Sequence, residues 1–360
     1  VKDERRQRPR TAEAETSPRV EIPRGKPIGG PWIFTTRAGA ENDQVEELAL
    51  ANIAGRVRGE ALVESRAAPT FDDGTIDATF SRQGFRLRAT LAGNATELAR
   101  QLADRTASLA PKDRALAISV FSPDTDDGNR LASLAEEIES MATTHLAARK
   151  IVPLVSAVRE EALVVQGALV SATELAFGDV AAAQLLSPFR GGKARMAVAG
   201  DRPSRAARKV EEALHWLGVS PGAGETCVDL GAAPGGWSWA LLEKRCRVIA
   251  VDPAELRDDV RDHPKLVHEK VSAFGYAPPE PVDWLFCDMA WRPVEVARML
   301  AKWGRRGYAR VLVSNVKLPM THKASIVREV REIVHGGGWR NVRTRQLYHD
   351  RDEITLTARM

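Results

Sequence analysis

Several things this sequence lacks narrow its function before any motif is considered. Cysteine is scarce: 360 residues hold three, Cys227, Cys246 and Cys287. The number is odd, no pair has a CxxC spacing, and each cysteine adjoins an apolar run that reads as a buried strand. A disulfide framework and a zinc site are therefore not expected, and reduced core cysteines are. Long hydrophobic runs are missing too. None reaches the roughly 18 residues that span a bilayer, so no membrane partner is expected. Charge of one sign is also lacking: 52 Lys and Arg against 48 Asp and Glu leave a net +4. Such mild basicity is compatible with nucleic acid without establishing it. The charged start (Lys2, Asp3, Glu4, Arg5, Arg6) has no apolar stretch after it. No secretory signal is expected, and the cytoplasm is the expected compartment. The sequence opens on Val1 rather than Met, which suggests an incomplete start.

What is present reads as a soluble globular chain. Hydrophobic residues at 44% supply a sizeable core, and the length predicts two or three units. Residues 1–28, rich in Arg, Glu, Pro and Ser, predict a disordered basic arm. Strands are expected at WIFTTR from Trp32, TIDATF around Thr75, FRLRATL around Phe85, ALAISVF ending at Phe121, and near 161–170. Helical spacing marks 41–57, 95–109 and 128–150. This mixed order predicts one or two small α+β units, followed by a Pro/Gly-rich break at Ser187–Met196. The break serves either as a plain linker or as an RNA-facing or active-site loop. Beyond it, short apolar strands alternate with amphipathic helices, the pattern of a parallel sheet covered on both faces. Two final strands, VRTRQLYH and EITLTAR, flank turn residues 350–352 and predict an antiparallel hairpin. The expected fold is α/β, a Rossmann-like domain closed by that hairpin.

The strongest local signal is CVDLGAAPGGWSWALL, from Cys227 to Leu242. A strand ends at Asp229, and Gly231, Gly235 and Gly236 turn the chain into a helix whose first N–H groups lack partners. The spacing is not GxGxxG, which argues against a dinucleotide. Asp229 would repel a pyrophosphate but suits an ammonium group. Asp252 ends the next strand, where one carboxylate can hold both hydroxyls of a ribose; that holds for any adenosine-type ligand. Asp288 and Lys317 end two further apolar strands, Glu353 opens the last one, and Lys209 lies in the preceding helix. Strand ends of an open α/β sheet converge on one crevice, and a lysine there is costly unless carboxylates pair with it. An ordinary structural ion-pair cluster is the competing reading. No NPPY motif, GxSxG motif or Ser-His-Asp set accompanies these residues, and Cys287 lacks the context of a nucleophile. Arg190, Lys193, Arg195, Arg202 and Arg205 are candidate RNA contacts.

With these residues assembled, the chain resembles the RlmM family of 23S rRNA ribose 2′-O-methyltransferases, relatives of the FtsJ-type enzymes. The resemblance rests on PSRAARKVEEAL (203–214), VDLGAAPGGWSWAL (228–241), FCDM (286–289), NVKLPM (315–320) and RQLYHDRDEITL (345–356). It implies a ferredoxin-like segment at 29–110, a THUMP-like RNA-binding segment at 111–186, a linker at 187–203 and a methyltransferase domain at 204–360. It implies a catalytic tetrad of Lys209, Asp288, Lys317 and Glu353, with S-adenosylmethionine as cofactor. The residues implied to hold that cofactor are Asp229, Gly231, Ala232, Ala233, Pro234, Gly235, Gly236, Trp237, Asp252, Ser272 and Asp288. Ser272 stands where the family places an acidic residue at the adenine. No metal is implied. The implied substrate is a cytidine in the peptidyl-transferase region of 23S rRNA, in naked RNA or an early assembly intermediate, and the implied state is a monomer. Another RNA target, or a non-catalytic RNA-binding or assembly role, remains open. So does the charge of Lys317, which would act as a base if neutral and orient the hydroxyl if protonated.

Overall fold

The computed structural model describes residues 20–110, 115–154, 162–195 and 206–360. In the first part, strand β1 (Ile28–Thr36) leads into helix α1 (Glu41–Leu50), then strands β2 (Gly55–Gly59), β3 (Leu62–Ala68) and β4 (Ser81–Ala92). Helix α2 (Ala95–Leu109), strand β5 (Leu116–Phe121), helices α3 (Asp126–Arg130) and α4 (Ala132–Ala147), and strands β6 (Leu163–Ser171) and β7 (Glu174–Ala181) follow. These strands form one seven-stranded sheet, ordered β2-β3-β1-β4-β7-β6-β5. The segments 29–110 and 111–186 thus share a sheet, joined by antiparallel pairing of β4 with β7. Helix α2 starts where the sequence places it, because Asn94 and Glu97 form a reciprocal capping box.

Three local differences from the sequence reading have physical causes. The helix expected to run to Val57 stops at Leu50, where Asn52 turns left-handed (φ 59°) and β2 begins. TIDATF makes only an isolated bridge, Thr70 to Ile76, although Ile76, Ala78 and Phe80 are buried. Its alternation arises because Ile76 and Ala78 pack into the first domain's core while Asp77 and Thr79 face the second domain. Strand β7 has no counterpart in the sequence reading, since it is buried along most of its length and shows no clear alternation. Gly178 within it lets β4 approach; a Cβ there would collide with the Arg86 carbonyl. Of the expected basic arm, residues 1–19 lie outside the described residues. Its end is tied down: Gly25 N–H donates to the Thr70 carbonyl at 2.9 Å, and β1 starts at Ile28.

The second part begins with helix α5 (Ala206–Leu217) and strand β8 (Thr226–Leu230), then α6 (Gly236–Glu243), β9 (Arg247–Val251), α7 (Asp258–Arg261) and β10 (Leu266–Glu269). Strand β11 (Val282–Cys287), helix α8 (Pro293–Arg306), strand β12 (Ala309–Lys317), helix α9 (Lys323–Gly336) and strands β13 (Arg340–Arg345) and β14 (Glu353–Arg359) complete it. Helix α8 shows why such boundaries are readable: proline opens it, arginines fill its last turn, and Gly307 closes it at φ 61°. The sheet order is β10-β9-β8-β11-β12-β14-β13, with β14 antiparallel to both neighbours. The Rossmann-like sheet with its closing hairpin is therefore present. After β8 the chain builds outward through β9 and β10, then returns to β11 on the other side of β8. That reversal opens a crevice at the strand ends. Among the described residues no helix is long and apolar enough to cross a membrane.

The two domains meet along a polar seam. Arg331 of α9 donates two hydrogen bonds to the Asp77 carboxylate, at 2.9 and 3.0 Å, with both side chains buried. The Arg345 guanidinium, at the end of β13, donates to the carbonyls of Leu186, Ser81 and Arg82. Thr79 and Thr344 hydroxyls meet at 2.8 Å, and Gln346 N–H donates to the Thr79 carbonyl at 2.7 Å. Strand β13 is an edge strand, and residues 77–82 cover it. Removing one partner of a buried pair strands the other charge. Arg331→Ala should therefore lower unfolding stability by about 3–5 kcal/mol in urea titration. A loss below about 1 kcal/mol, as for an exposed pair, would show that the seam is peripheral.

Candidate active site

The register of the second sheet assembles the charged cluster. Lys317 is the last residue of β12 and Glu353 the first of β14, and antiparallel pairing sets them directly opposite. Asp288 follows the last residue of β11, its N–H donating to the Leu230 carbonyl at 3.2 Å. Helix α5 brings Lys209 over the same strand ends. Lys317 Nζ donates to Asp288 Oδ1 at 2.9 Å and also to the Glu353 carboxylate. Lys209 pairs with Glu353 and lies 3.9 Å from Asp288. All four expected residues thus form one lattice of two cations and two anions.

The surroundings settle the charge of Lys317. Burial works against its ammonium form, but the Asp288 and Glu353 carboxylates outweigh it and hold its pKa above the usual lysine value. Burial pushes Glu353 up, and hydrogen bonds from Lys209 and Lys317 more than reverse this, holding it below the usual carboxylate range. At neutral pH Lys317 is therefore an ammonium. Beneath the cluster, Thr355 Oγ1 lies 2.9 Å from Asn315 Oδ1 and 3.0 Å from Asp350 Oδ2. Asp350 is buried, which drives its carboxyl well above the usual range. Glu212, one helical turn after Lys209 in α5, accepts hydrogen bonds from Tyr348 N–H (2.8 Å) and His349 N–H (3.0 Å). It pins the loop before β14 to the helix that carries Lys209.

The glycine turn sits across the crevice. Asp229 is 1% exposed, and its Oδ2 accepts from Ser238 Oγ at 2.7 Å, while Oδ1 is buried without a partner among the described residues. Burial pushes this carboxyl up to about 7. Gly231, at φ 77°, has no room for a Cβ, which would lie 2.7 Å from Met289 Cγ. Gly235, at φ 110°, leads into α6, which Gly236 begins. Asp252 accepts from Ala233 N–H (3.2 Å) and Ala254 N–H (2.8 Å), so it shapes the turn of Ala232, Ala233 and Pro234. Trp237 packs edge-on against Phe286, with centroids 6.1 Å apart, leaving its backbone rather than its ring for a ligand. Ser272 is exposed just beyond β10, on the strand-end side of the sheet. The expected S-adenosylmethionine fits this donor and acceptor set. Its ammonium needs a buried acceptor, which Asp229 Oδ1 supplies, and the glycine turn allows close approach.

The expected RNA contacts are placed differently. Arg190 pairs with Glu139 at 2.5 Å, and Lys193 with Asp124 at 3.8 Å; the Lys193 side chain is only 9% exposed. Burial also draws the Lys193 pKa down. These two tie the 187–195 segment to the first domain. Arg195 is exposed, and Arg202 and Arg205 lie outside the described residues. An open cleft of about 680 Å³ instead runs between the domains to Lys209 and Glu353, lined by Arg37, Arg82, Arg208, Tyr348 and Arg351 among others. Sequence reasoning missed these arginines because the cleft exists only once the domains dock. Arg208 alone had a signal, as the neighbour of Lys209.

A profile described as FtsJ-like methyltransferase matches residues 202–303. The chain is 43% identical to the ribosomal RNA large subunit methyltransferase M of Halorhodospira halophila, over 47% of this chain and 50% of that protein. That alignment spans about half the relative's length. The protein of the same name from Alkalilimnicola ehrlichii is 33% identical over 91% of this chain and 94% of its own. Among solved structures, TrmN from Thermus thermophilus aligns with 92% of this chain and 100% of its own at 13% identity, with a TM-score of 0.36.

The lattice makes a direct prediction. Glu353→Gln removes one of two carboxylates holding Lys317, so the Lys317 ammonium should titrate at lower pH than in the intact chain. Side-chain NMR of lysine across an alkaline titration reads this, and an unmoved Lys317 would disprove the coupling. The depressed Glu353 contributes stability above the normal carboxylate range and loses it as pH falls through its lowered pKa. The raised Lys317 contributes below its normal pKa and loses it only as pH climbs through the raised one. Stability from the lattice is therefore level across neutral pH.

Proposed function

This chain belongs to the ribosomal RNA large subunit methyltransferase M family, and on that premise we propose that it methylates a ribose 2′-hydroxyl of large-subunit ribosomal RNA, using S-adenosylmethionine. The observation that carries this reading is the Lys317 ammonium, held between two carboxylates beside the glycine turn. When bound, S-adenosylmethionine supplies a methyl group already activated on a positive sulfur. The chain's own residues have two tasks: to align the hydroxyl oxygen and to dispose of its proton. A protonated Lys317 donates a hydrogen bond to that oxygen and fixes its direction. Being an ammonium, it does not accept the proton. Asp288, less enclosed than Glu353 (15% against 6% exposed), is the acceptor within its reach. Asp288 and Glu353 keep Lys317 charged, and Lys209 holds Glu353 in place. Asp229 meets the cofactor's ammonium, Asp252 its ribose hydroxyls, and Ser272 lies toward the adenine.

The interdomain cleft is the route for the polyanion. Arg37, Arg208 and Arg351 face its phosphates, while the buried Arg82 is held by Asp124 in the cleft wall, with the methylated ribose at the inner end. The target is a cytidine in the peptidyl-transferase region of 23S rRNA, in naked RNA or an early assembly intermediate. The enzyme works as a monomer in the cytoplasm.

Transfer of labelled methyl to 23S rRNA lacking this modification, followed by nucleoside analysis, should yield 2′-O-methylcytidine. Lys317→Ala should abolish transfer while leaving S-adenosylmethionine affinity near that of the intact chain. Normal turnover in that variant would refute the role of Lys317. Charge reversal at both Arg37 and Arg351 should weaken RNA binding. It should also flatten the dependence of log affinity on log salt by about 0.7 for each single-strand phosphate no longer neutralised. An unchanged slope would place the RNA elsewhere.

A further inference from the structure

The cluster has a second opening, on the side away from the arginines. Lys317 also lines an open bay of about 690 Å³, whose walls include Ala290, Trp291, Pro293, Leu318 and Pro319. Arg292 and Glu295, the other charged side chains there, pair with each other at 3.2 Å. Trp291 is 52% exposed, and no other Phe, Tyr or Trp among the described residues is exposed. The ring is nevertheless held in place. Its Nε1–H donates to Glu295, and it packs against Phe274 with centroids 5.6 Å apart. The backbone of the bay is equally fixed, since Leu318 N–H donates to the Asp352 carbonyl at 2.9 Å. A tryptophan left in water forgoes a large burial gain, so a rigid one at the mouth of a charged site calls for a flat apolar partner.

We propose that this bay receives the base of the nucleotide being methylated, stacked on Trp291; the inference rests on the ribose methylation argued above. In a ribonucleotide, the carbon bearing the 2′-hydroxyl is bonded to the carbon bearing the base. A 2′-oxygen at Lys317 therefore brings its base to one of the two spaces that reach the cluster, one at Lys209 and Glu353 and the other at Lys317 itself. One of these is the cleft, rich in arginines and matched to phosphate. The other is the bay, with carbon walls matched to a base. Drawing one nucleotide out of an RNA strand also breaks its stacking with its neighbours, and a waiting aromatic face restores part of that loss. Stacking accepts any base, so Trp291 positions the nucleotide rather than choosing its identity.

The test compares intact chain, Trp291→Ala and Trp291→Phe, each full length, on unmodified 23S rRNA. Trp291→Ala should lower kcat/KM for RNA by about 5- to 150-fold, the range expected for one stacked base. S-adenosylmethionine affinity by calorimetry and melting temperature should both stay unchanged, and Trp291→Phe should recover most of the rate. Unaltered transfer by Trp291→Ala would overturn the proposal. So would a parallel loss of S-adenosylmethionine affinity, which would assign the bay to the cofactor. An intact chain that binds S-adenosylmethionine but transfers nothing to rRNA would refute the activity itself, and this inference with it.

Discussion

The register between β12 and β14 is the constraint on which the site depends. Pairing Lys317 with Glu353 across two antiparallel strands sets a cation and an anion face to face at the end of the sheet. A slip of one residue would turn Glu353 to the opposite face and put Ile354 in its place. The register is held from below by Thr355, Asn315 and Asp350, and from the side by Glu212, which clamps the preceding loop. Helix α5 can then deliver Lys209 to a carboxylate already in place.

Burying four charges together is not a route to stability. Each ion loses hydration, and apolar residues of the same volume would often do as well or better. What the cluster secures is a defined protonation state. With two lysines and two carboxylates in contact, Lys317 keeps its proton and Glu353 gives up its own, although burial alone would favour the opposite for both. A donor of fixed charge and direction aligns the hydroxyl oxygen, leaving a neighbouring carboxylate to take its proton. Asp229 and Asp350, which have no cation in contact with them among the described residues, are instead pushed up by the same burial.

The ends of the parallel strands were the most legible part of the chain. Asp229, Asp252, Asp288 and Lys317 each close an apolar run, and a charge in that position has few structural excuses. Lys209 and Glu353 stood out with them by position, and motif resemblance joined the four as a tetrad. Features made by docking were illegible. Residues 75–80 alternate like a strand because Ile76 and Ala78 pack into the first domain's core while Asp77 and Thr79 meet the second domain, and β7 hides because it is buried along most of its length. Lys193 read as a free cation, yet its partner Asp124 lies about 70 residues away in sequence. The arginine cleft belongs to neither domain alone. Trp291 carried no signal either, since nothing in a sequence separates a tryptophan held at the surface from one in the core.

The seam between the domains has a consequence for how a substrate is measured. Arg331 is locked to Asp77, and Arg345 to three carbonyls of the other domain. The opposing walls of the cleft are therefore parts of one solid body, like the jaws of a gauge screwed to a set gap. On the proposed route, an RNA strand entering that gap adjusts to fit it, so the work of adjustment falls on the nucleic acid, and its readiness to deform becomes part of what is recognised.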